Sequence, residues 1–141
     1  MRTWPRPVGA ADQLLAAARH GLAEAATLAV PAERYAAAHL AALRTAAAVV
    51  AARAKPTPPS PRRSRPANVW SLLVSVAPEM AEWAGFFAAS ARKRAAAEAG
   101  IVHAVSTREA DDLVRDAETF FALVETTLGT THQPVLSQAH A

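Results

Sequence analysis

The chain has 141 residues, a formal net charge of +3 and no cysteine, and 38 of its residues are alanine. A chain of this length forms one domain with a sizeable buried core. The lack of cysteine excludes a disulfide framework, a thiolate nucleophile and a zinc site with cysteine ligands. Because alanine favours helices and is depleted in strands, the composition predicts an all-α protein.

The positive charge is concentrated in one short stretch of the chain. Residues 53–65, called the basic segment below, contain five cations and no acid, whereas the remaining residues carry ten basic and twelve acidic side chains. The net positive charge is therefore a property of this segment, and it does not indicate that the rest of the chain binds nucleic acid. The five cations are Arg53, Lys55, Arg62, Arg63 and Arg65.

The sequence contains no pattern typical of a signal peptide or a transmembrane helix. Asp12, Arg19 and Glu24 interrupt the apolar stretch near the N-terminus, and the longest uncharged run, residues 126–141, is polar. We therefore expect a cytoplasmic protein with no membrane partner. The preference for arginine over lysine, together with so much alanine, indicates a GC-rich bacterial source.

The predicted elements begin with an irregular arm over residues 1–9. A first helix is predicted from about Ala10 to Ala29, because leucines and alanines recur there at the spacing of one helical face. Pro31 suits the first position of a second helix, which runs to about Ala54. The short joint between these helices favours an antiparallel hairpin. The predicted apolar face of the second helix consists of Ala36, Leu40, Leu43, Ala46, Ala47 and Val50.

Residues 55–67 hold five of the ten prolines and are predicted to form a linker. Asn68 suits the N-cap of a third helix, which extends to about Ala99 with Gly100 as its stop. The apolar positions keep one phase across Pro78, which lies on the opposite face. This pattern fits a helix that is kinked at Pro78, and it fits two abutting helices equally well.

The last helix has the clearest boundaries. Ser106 and Glu109 form a capping box, and Gly129 follows the last residue of the apolar stripe. Residues 130–141 show no pattern and are predicted to be a disordered tail. The predicted architecture is an all-α, up-down bundle of four helices over residues 10–129, or of five if Pro78 divides the third helix.

Missing motifs exclude most catalytic and cofactor chemistry. The five glycines form no phosphate-binding loop, and the serines form no nucleophile elbow. The five histidines show no helical spacing suited to a metal ion. We therefore expect neither a metal nor a cofactor.

Arg34 and His39 form the one remaining candidate catalytic pair. Imidazole can move a proton to or from a ribose 2′ hydroxyl while guanidinium stabilises charge on phosphorus, so the pair could support metal-independent RNA cleavage. Five residues of helix place the two side chains about 140° apart, and they would therefore meet only across two copies of the chain. The alternative interpretation is a core histidine beside a solvated arginine in the first turn of the helix.

The basic segment is the candidate nucleic-acid-binding site. Five cations on an extended chain can neutralise several phosphates, which makes binding dependent on salt. No aromatic residue lies between them, so we expect no base stacking and no sequence preference. The alternative interpretation is a solvated loop that keeps an alanine-rich domain in solution.

Phe86 lies about 110° off the apolar stripe of its predicted helix, near the outer face. An exposed phenylalanine among small residues indicates a self-association patch, and the alternative is that the apolar stripe is wider than these positions define. Trp83, Phe87, Phe120 and Phe121 lie on or beside the stripes and are predicted to form the core.

Three parts of the chain carry a resemblance to a known superfamily. They are the helical hairpin of residues 10–54, the aromatic segment of residues 69–84 and the last helix over residues 108–121. Together they resemble the HEPN (higher eukaryotes and prokaryotes nucleotide-binding) superfamily, and a small stand-alone actinobacterial branch in particular. The short motifs involved are Val69-Trp70-Ser71-Leu72-Leu73, Pro78-Glu79-Met80-Ala81-Glu82-Trp83-Ala84 and Arg108-Glu109-Ala110-Asp111-Asp112-Leu113.

The resemblance implies a bundle of four or five helices that often forms a symmetric dimer. Many members are metal-independent ribonucleases or RNA-binding proteins of toxin and defence systems, and others are inactive binding modules. Active members carry an arginine, four to six residues and then a histidine, which here corresponds to Arg34 and His39.

We therefore expect a helical bundle that binds RNA or a nucleotide, or pairs with a protein partner, without catalysis. One alternative is an endoribonuclease of the toxin or defence type. The other is a structural adaptor with no nucleic-acid role.

Overall fold

The computed structural model describes residues 9–54 and 68–129. These residues form five α-helices, one 3₁₀ turn and loops, with no strand among them, which confirms the all-α prediction. The arm up to residue 8, the linker 55–67 and the tail from residue 130 lie outside the described residues. The helices are α1 (Ala10–Thr27), α2 (Pro31–Arg53), α3 (Val69–Val76), α4 (Ala81–Glu98) and α5 (Thr107–Gly129).

The predicted signals for helix starts are present in the structure. Pro31 occupies the first position of α2, and the side-chain oxygen of Asn68 accepts a hydrogen bond from the Trp70 N–H at 2.7 Å. At the start of α5, the Glu109 N–H donates to Ser106 Oγ at 3.0 Å, and the Ser106 N–H donates to Glu109 Oε1 at 2.9 Å. The predicted capping box is therefore confirmed.

Gly100 ends α4, as predicted. Its φ is +74°, a left-handed conformation that glycine adopts without strain. The N–H groups of Gly100 and Ile101 donate to the carbonyl oxygens of Ala97 and Ala96, each at 3.1 Å. This pair of hydrogen bonds is a Schellman motif, which satisfies carbonyl groups at the end of the helix.

Pro78 divides the predicted third helix into two. α3 ends at Val76, Ala77 has φ −145° and ψ 70°, and Pro78–Met80 forms a 3₁₀ turn that leads into α4. Proline has no N–H to donate and disfavours helical dihedral angles at the residue before it. Of the two interpretations, the structure therefore confirms two abutting helices.

α2 is the central helix of the bundle. α1 and α5 pack against α2 and against each other. α3 and α4 likewise pack against α2 and against each other. The backbones of α4 and α5 hardly approach each other, although both contact α2. Side chains must therefore fill the space between α4 and α5.

Aromatic side chains fill that space. Phe87 and Phe120 have no exposed surface. The Phe87 ring centroid lies 5.4 Å from that of Trp70, 5.9 Å from that of Trp83 and 5.3 Å from that of Phe120. Because most other buried residues are alanines, these rings supply a large share of the packing energy, as the sequence predicted.

The buried surface of α2 differs from the predicted one. Leu40 belongs to the predicted apolar face but is 36% exposed, whereas Tyr35 and Thr45 lie outside that face and are 5% and 0% exposed. Four helices surround α2, so its contacts cover a wide arc. Alanines recur on every side of α2, and their spacing therefore does not reveal which arc faces the core.

Among the described helices, α2 alone is long and apolar enough to cross a membrane by length and composition. Half of its most apolar stretch is buried inside the bundle. Its position at the centre of the fold accounts for this apolar character.

Candidate functional site

His39 lies in the core of the bundle. Its side chain has no exposed surface, and its ring centroid lies 6.0 Å from that of Trp70 and 6.2 Å from that of Phe87. Nε2 is 2.8 Å from the carbonyl oxygen of Phe87. Because a carbonyl oxygen can only accept, Nε2 carries the proton and donates it, and the ring links α2 to α4.

Burial lowers the pKa of His39 below its ordinary value of 6.5. The hydrogen bond to the Phe87 carbonyl opposes this shift, the positive charge of Arg94 adds to it, and the charge of Glu98 opposes it. The ring is therefore neutral at pH 7, and its Nδ1 has no hydrogen-bond partner in the part of the chain that the structure describes. A fully buried imidazole cannot reach a ribose hydroxyl in this conformation.

Arg34 ties the first turn of α2 to its neighbours. Its guanidinium donates to the carbonyl oxygen of Leu28 at 2.7 Å and lies 3.1 Å from the Asp111 carboxylate on α5. The side chain is 11% exposed, so the prediction of a solvated arginine is not what the structure shows. Arg34 also lines a cleft of about 360 Å³ with Asp111 and Glu118. These two carboxylates make the cleft unfavourable for a phosphate.

We expect the change Arg34→Ala to lower the free energy of unfolding by about 2 kcal/mol, since it removes charge-assisted hydrogen bonds from a largely buried group. Asp111→Asn leaves the bond to the Leu28 carbonyl in place and should cost less than about 1 kcal/mol. Urea denaturation measures both changes. Arg115→Ala is the matched control, because its side chain is 70% exposed and its one ion pair among the described residues is with Asp112 of the same helix. A loss for Arg34→Ala no larger than for this control would contradict the assigned role.

The structure does not bring Arg34 and His39 together within one chain. Arg34 is held by the Leu28 carbonyl and Asp111 at the beginning of α2, and His39 is held by Phe87 inside the core. Their joint use as a catalytic pair across two copies of the chain stays a prediction.

Arg53 is the one cation of the basic segment that lies within the described residues. Its guanidinium is 2.6 Å from the Glu79 carboxylate and donates to the carbonyl oxygen of Val76 at 3.3 Å. These contacts hold the end of α2 against the turn that precedes α4. Lys55, Arg62, Arg63 and Arg65 lie outside the described residues, and their predicted role stays a prediction.

Sequence reasoning missed a small cavity between α4 and α5. Glu82, Trp83 and Phe86 of α4 and Asp116 of α5 line it, and its volume is about 300 Å³. Phe86 is 42% exposed, as its position off the apolar stripe predicted. The sequence does place Phe86 four residues after Glu82, on one face of the helix. The position of Asp116 beside them depends on the packing of α4 against α5, which is not visible in the sequence.

The sequence model of the SAV_6107-like HEPN family matches residues 25–125 of the chain, which is more than half of its length. The chain belongs to this HEPN family. Comparisons with curated proteins and with solved structures gave no match. The five-helix bundle is consistent with the family, and the resemblance that was noted in the sequence is confirmed at the level of the superfamily.

Three of the six acids of the last helix of this HEPN domain form ion pairs with other helices. Glu109 pairs with Lys93 of α4, Asp111 with Arg34 of α2, and Glu125 with Arg19 of α1. Asp112 pairs with two arginines of its own helix. The acidic face of α5 is therefore largely neutralised by its neighbours, and Asp116 and Glu118 have no ion pair among the described residues.

The described residues of the HEPN domain contain no group of three or more histidine, aspartate or glutamate side chains that could hold a metal ion. The pKa of Glu109 lies below its usual range because Lys93 and the Ser106 N–H hydrogen-bond to the carboxylate. The pKa of Glu79 is lowered in the same way by Arg53. Both shifts come from structural ion pairs at the ends of helices.

Proposed function

We propose that this HEPN domain is a non-catalytic module that binds RNA with its basic segment. The observation that carries the first half of the proposal is the position of His39. The histidine of the one arginine–histidine pair with the spacing of active members is fully buried, neutral and bonded to a backbone carbonyl. Its arginine is likewise engaged in holding helices together.

The distribution of charge supports the second half of the proposal. The described residues carry nine basic and twelve acidic side chains, so the bundle itself repels phosphate overall. The remaining six cations, without any acid, lie in the arm and the linker. Four of them are the linker residues Lys55, Arg62, Arg63 and Arg65, and Arg53 is already paired with Glu79.

Binding of a fluorescent single-stranded RNA at several salt concentrations tests the proposed ligand. If each of the four linker cations contacts one phosphate, the logarithm of the association constant should fall with the logarithm of the salt concentration with a slope of about −3. Each contact contributes about −0.7 on a single strand. Replacing Arg62, Arg63 and Arg65 with glutamine should reduce the slope to about −1. The matched control replaces Arg92, Arg108 and Arg115, which are exposed on the bundle and carry the same total charge.

Equal losses in the two triple variants would contradict binding through the basic segment. Binding that does not change with salt would contradict it as well. A stable protein partner that copurifies without nucleic acid would favour the adaptor alternative.

An RNA-cleavage assay with a chelator present tests the non-catalytic half. We expect no cleavage by the wild-type protein above a buffer control. Cleavage by the wild type that is lost in a folded His39→Gln variant would overturn this half and favour the metal-independent endoribonuclease. The oligomeric state at tens of micromolar, measured by sedimentation, shows whether a dimer exists that could join Arg34 and His39.

A further inference from the structure

The cavity between α4 and α5 combines aromatic rings with two carboxylates. Phe86 meets Phe87 edge to face, with centroids 5.0 Å apart, and Trp83 stacks on Phe87 at 5.9 Å. Phe87 is fully buried, so it fixes both rings in place while Phe86 stays 42% exposed. Glu82 of α4 and Asp116 of α5 line the same cavity, so that each helix contributes one carboxylate residue. The arrangement is thus preformed by the core and open to solvent.

Neither of the two carboxylates is neutralised by an ion pair among the described residues, whereas four of the six acids of α5 are. Among the described residues, every ion pair of α5 involves Glu109, Asp111, Asp112 or Glu125. Glu82 takes part in no ion pair within that part of the chain. Partial burial and the nearby charge of Asp112 raise the pKa of Asp116, which Arg115 only partly offsets. A cation placed in the cavity would remove this unfavourable interaction.

We propose that this cavity binds the guanidinium group of an arginine side chain. Guanidinium is planar and weakly hydrated, it stacks on aromatic rings, and it donates two parallel hydrogen bonds to a carboxylate. A volume of about 300 Å³ lies at the lower limit of ligand sites and suits one side chain better than a nucleotide. Two carboxylates fall well short of the roughly six to eight oxygen ligands of a calcium site, and aromatic rings contribute no ligand to a metal ion.

The proposal is independent of RNA binding, since it uses acids and aromatic rings of the bundle and none of the cations of the basic segment. Two sources could supply the arginine, namely another protein or the arginines of this chain. The chemistry of the site is the same for both, and the experiment distinguishes them.

Titration of the isotope-labelled full chain with N-acetyl-arginine amide tests the site by NMR. The indole N–H of Trp83, assigned with a Trp83→Phe variant, should shift in a saturable way with a dissociation constant on the order of 1 mM. N-acetyl-lysine amide should bind at least about fivefold more weakly, because an ammonium group neither stacks nor binds a carboxylate through two parallel bonds. The indole N–H of buried Trp70 serves as the internal reference.

Glu82→Gln and Asp116→Asn should each weaken arginine binding by about fivefold, which is the effect of removing one partly exposed carboxylate from an ion pair. Glu118→Gln is the matched control, because it removes the same charge two residues from Asp116 on the same helix and lines the other cleft. Circular dichroism establishes that all three variants fold. An equal effect of the control, equal binding of lysine or no saturable shift would each overturn the proposal.

A variant with Arg62, Arg63 and Arg65 replaced by glutamine identifies the source. If these arginines occupy the cavity, the Trp83 indole signal moves before any probe is added, and the probe then binds more tightly than to the wild type. If a different protein supplies the arginine, the signal and the affinity stay those of the wild type. Both results presuppose that the cavity binds arginine. The variants Glu82→Gln and Asp116→Asn test that binding separately.

Discussion

Replacing Phe87 with alanine is expected to lower the free energy of unfolding by about 4 kcal/mol. Phe87 has no exposed surface, and its ring contacts those of Trp70, Trp83 and Phe120. These residues lie on three helices, so the substitution leaves a cavity at the point where α3, α4 and α5 meet. Alanine-rich neighbours cannot collapse into that cavity, because their side chains end at Cβ.

Phe86→Ala is the matched control for this prediction, since it removes the same atoms from the adjacent position of α4. Phe86 is 42% exposed, so its loss should cost less than about 1.5 kcal/mol. Urea denaturation followed by circular dichroism measures both values at one pH. Equal losses for the two variants would show that Phe87 is not the centre of the core.

Replacing His39 with alanine is expected to cost about 3 kcal/mol, because it removes a buried ring and its hydrogen bond to the Phe87 carbonyl. His20→Ala, at an exposed position of α1, should lower the free energy of unfolding by less than about 0.5 kcal/mol. Both variants and the wild type are denatured at pH 7.5, where the His39 ring is neutral. If His39 were an accessible catalytic residue, the two substitutions would have similar effects on stability.

The stability of the wild type should also fall as the pH drops below about 6.5. The pKa of His39 is lower in the folded state than in the unfolded chain, so the unfolded state binds the proton first. The stabilisation is complete above the unfolded pKa of 6.5 and is lost progressively as the pH approaches the lower folded pKa. Chemical denaturation at a series of pH values between 7.5 and 5 would detect the change.

His39→Gln is the control for this pH dependence. The glutamine amide can still donate to a carbonyl oxygen but does not titrate, so the fall in stability between about pH 6.5 and 5 should disappear. The lowered pKa values of Glu79 and Glu109 act in a separate range, below their ordinary value of 4.5. A pH dependence that persists unchanged in His39→Gln would assign it to other groups.

Local sequence signals predicted most of the helix boundaries correctly. Asn68, Gly100 and the pair Ser106 and Glu109 act through hydrogen bonds with backbone groups a few residues away, so each signal is complete within one short stretch. Pro78 left two interpretations open, because a kinked helix and two abutting helices can both keep the apolar residues before and after Pro78 on one face. The structure decided between them through the dihedral angles of Ala77.

The candidate site was less predictable, because its partners are distant in sequence. The burial of His39 depends on Trp70 and Phe87, which come from two other helices. One of the two interpretations of the sequence was a core histidine, and the structure confirms that His39 is buried. Arg34 was expected in solvent, and no local pattern shows that the Leu28 carbonyl and Asp111 lie within its reach.

Composition and short-range patterns are sufficient to establish the helical class of this HEPN domain, the ends of its helices and the separation of its basic segment from an acidic bundle. These properties depend on alanine content, on capping groups and on charge, each of which acts within a few residues. Packing alone decides which arc of α2 is buried, which acids of α5 are paired and which side chains line the cavity between α4 and α5. The reason is that alanine lets helices approach on any side, so only the large side chains of distant segments select one arrangement.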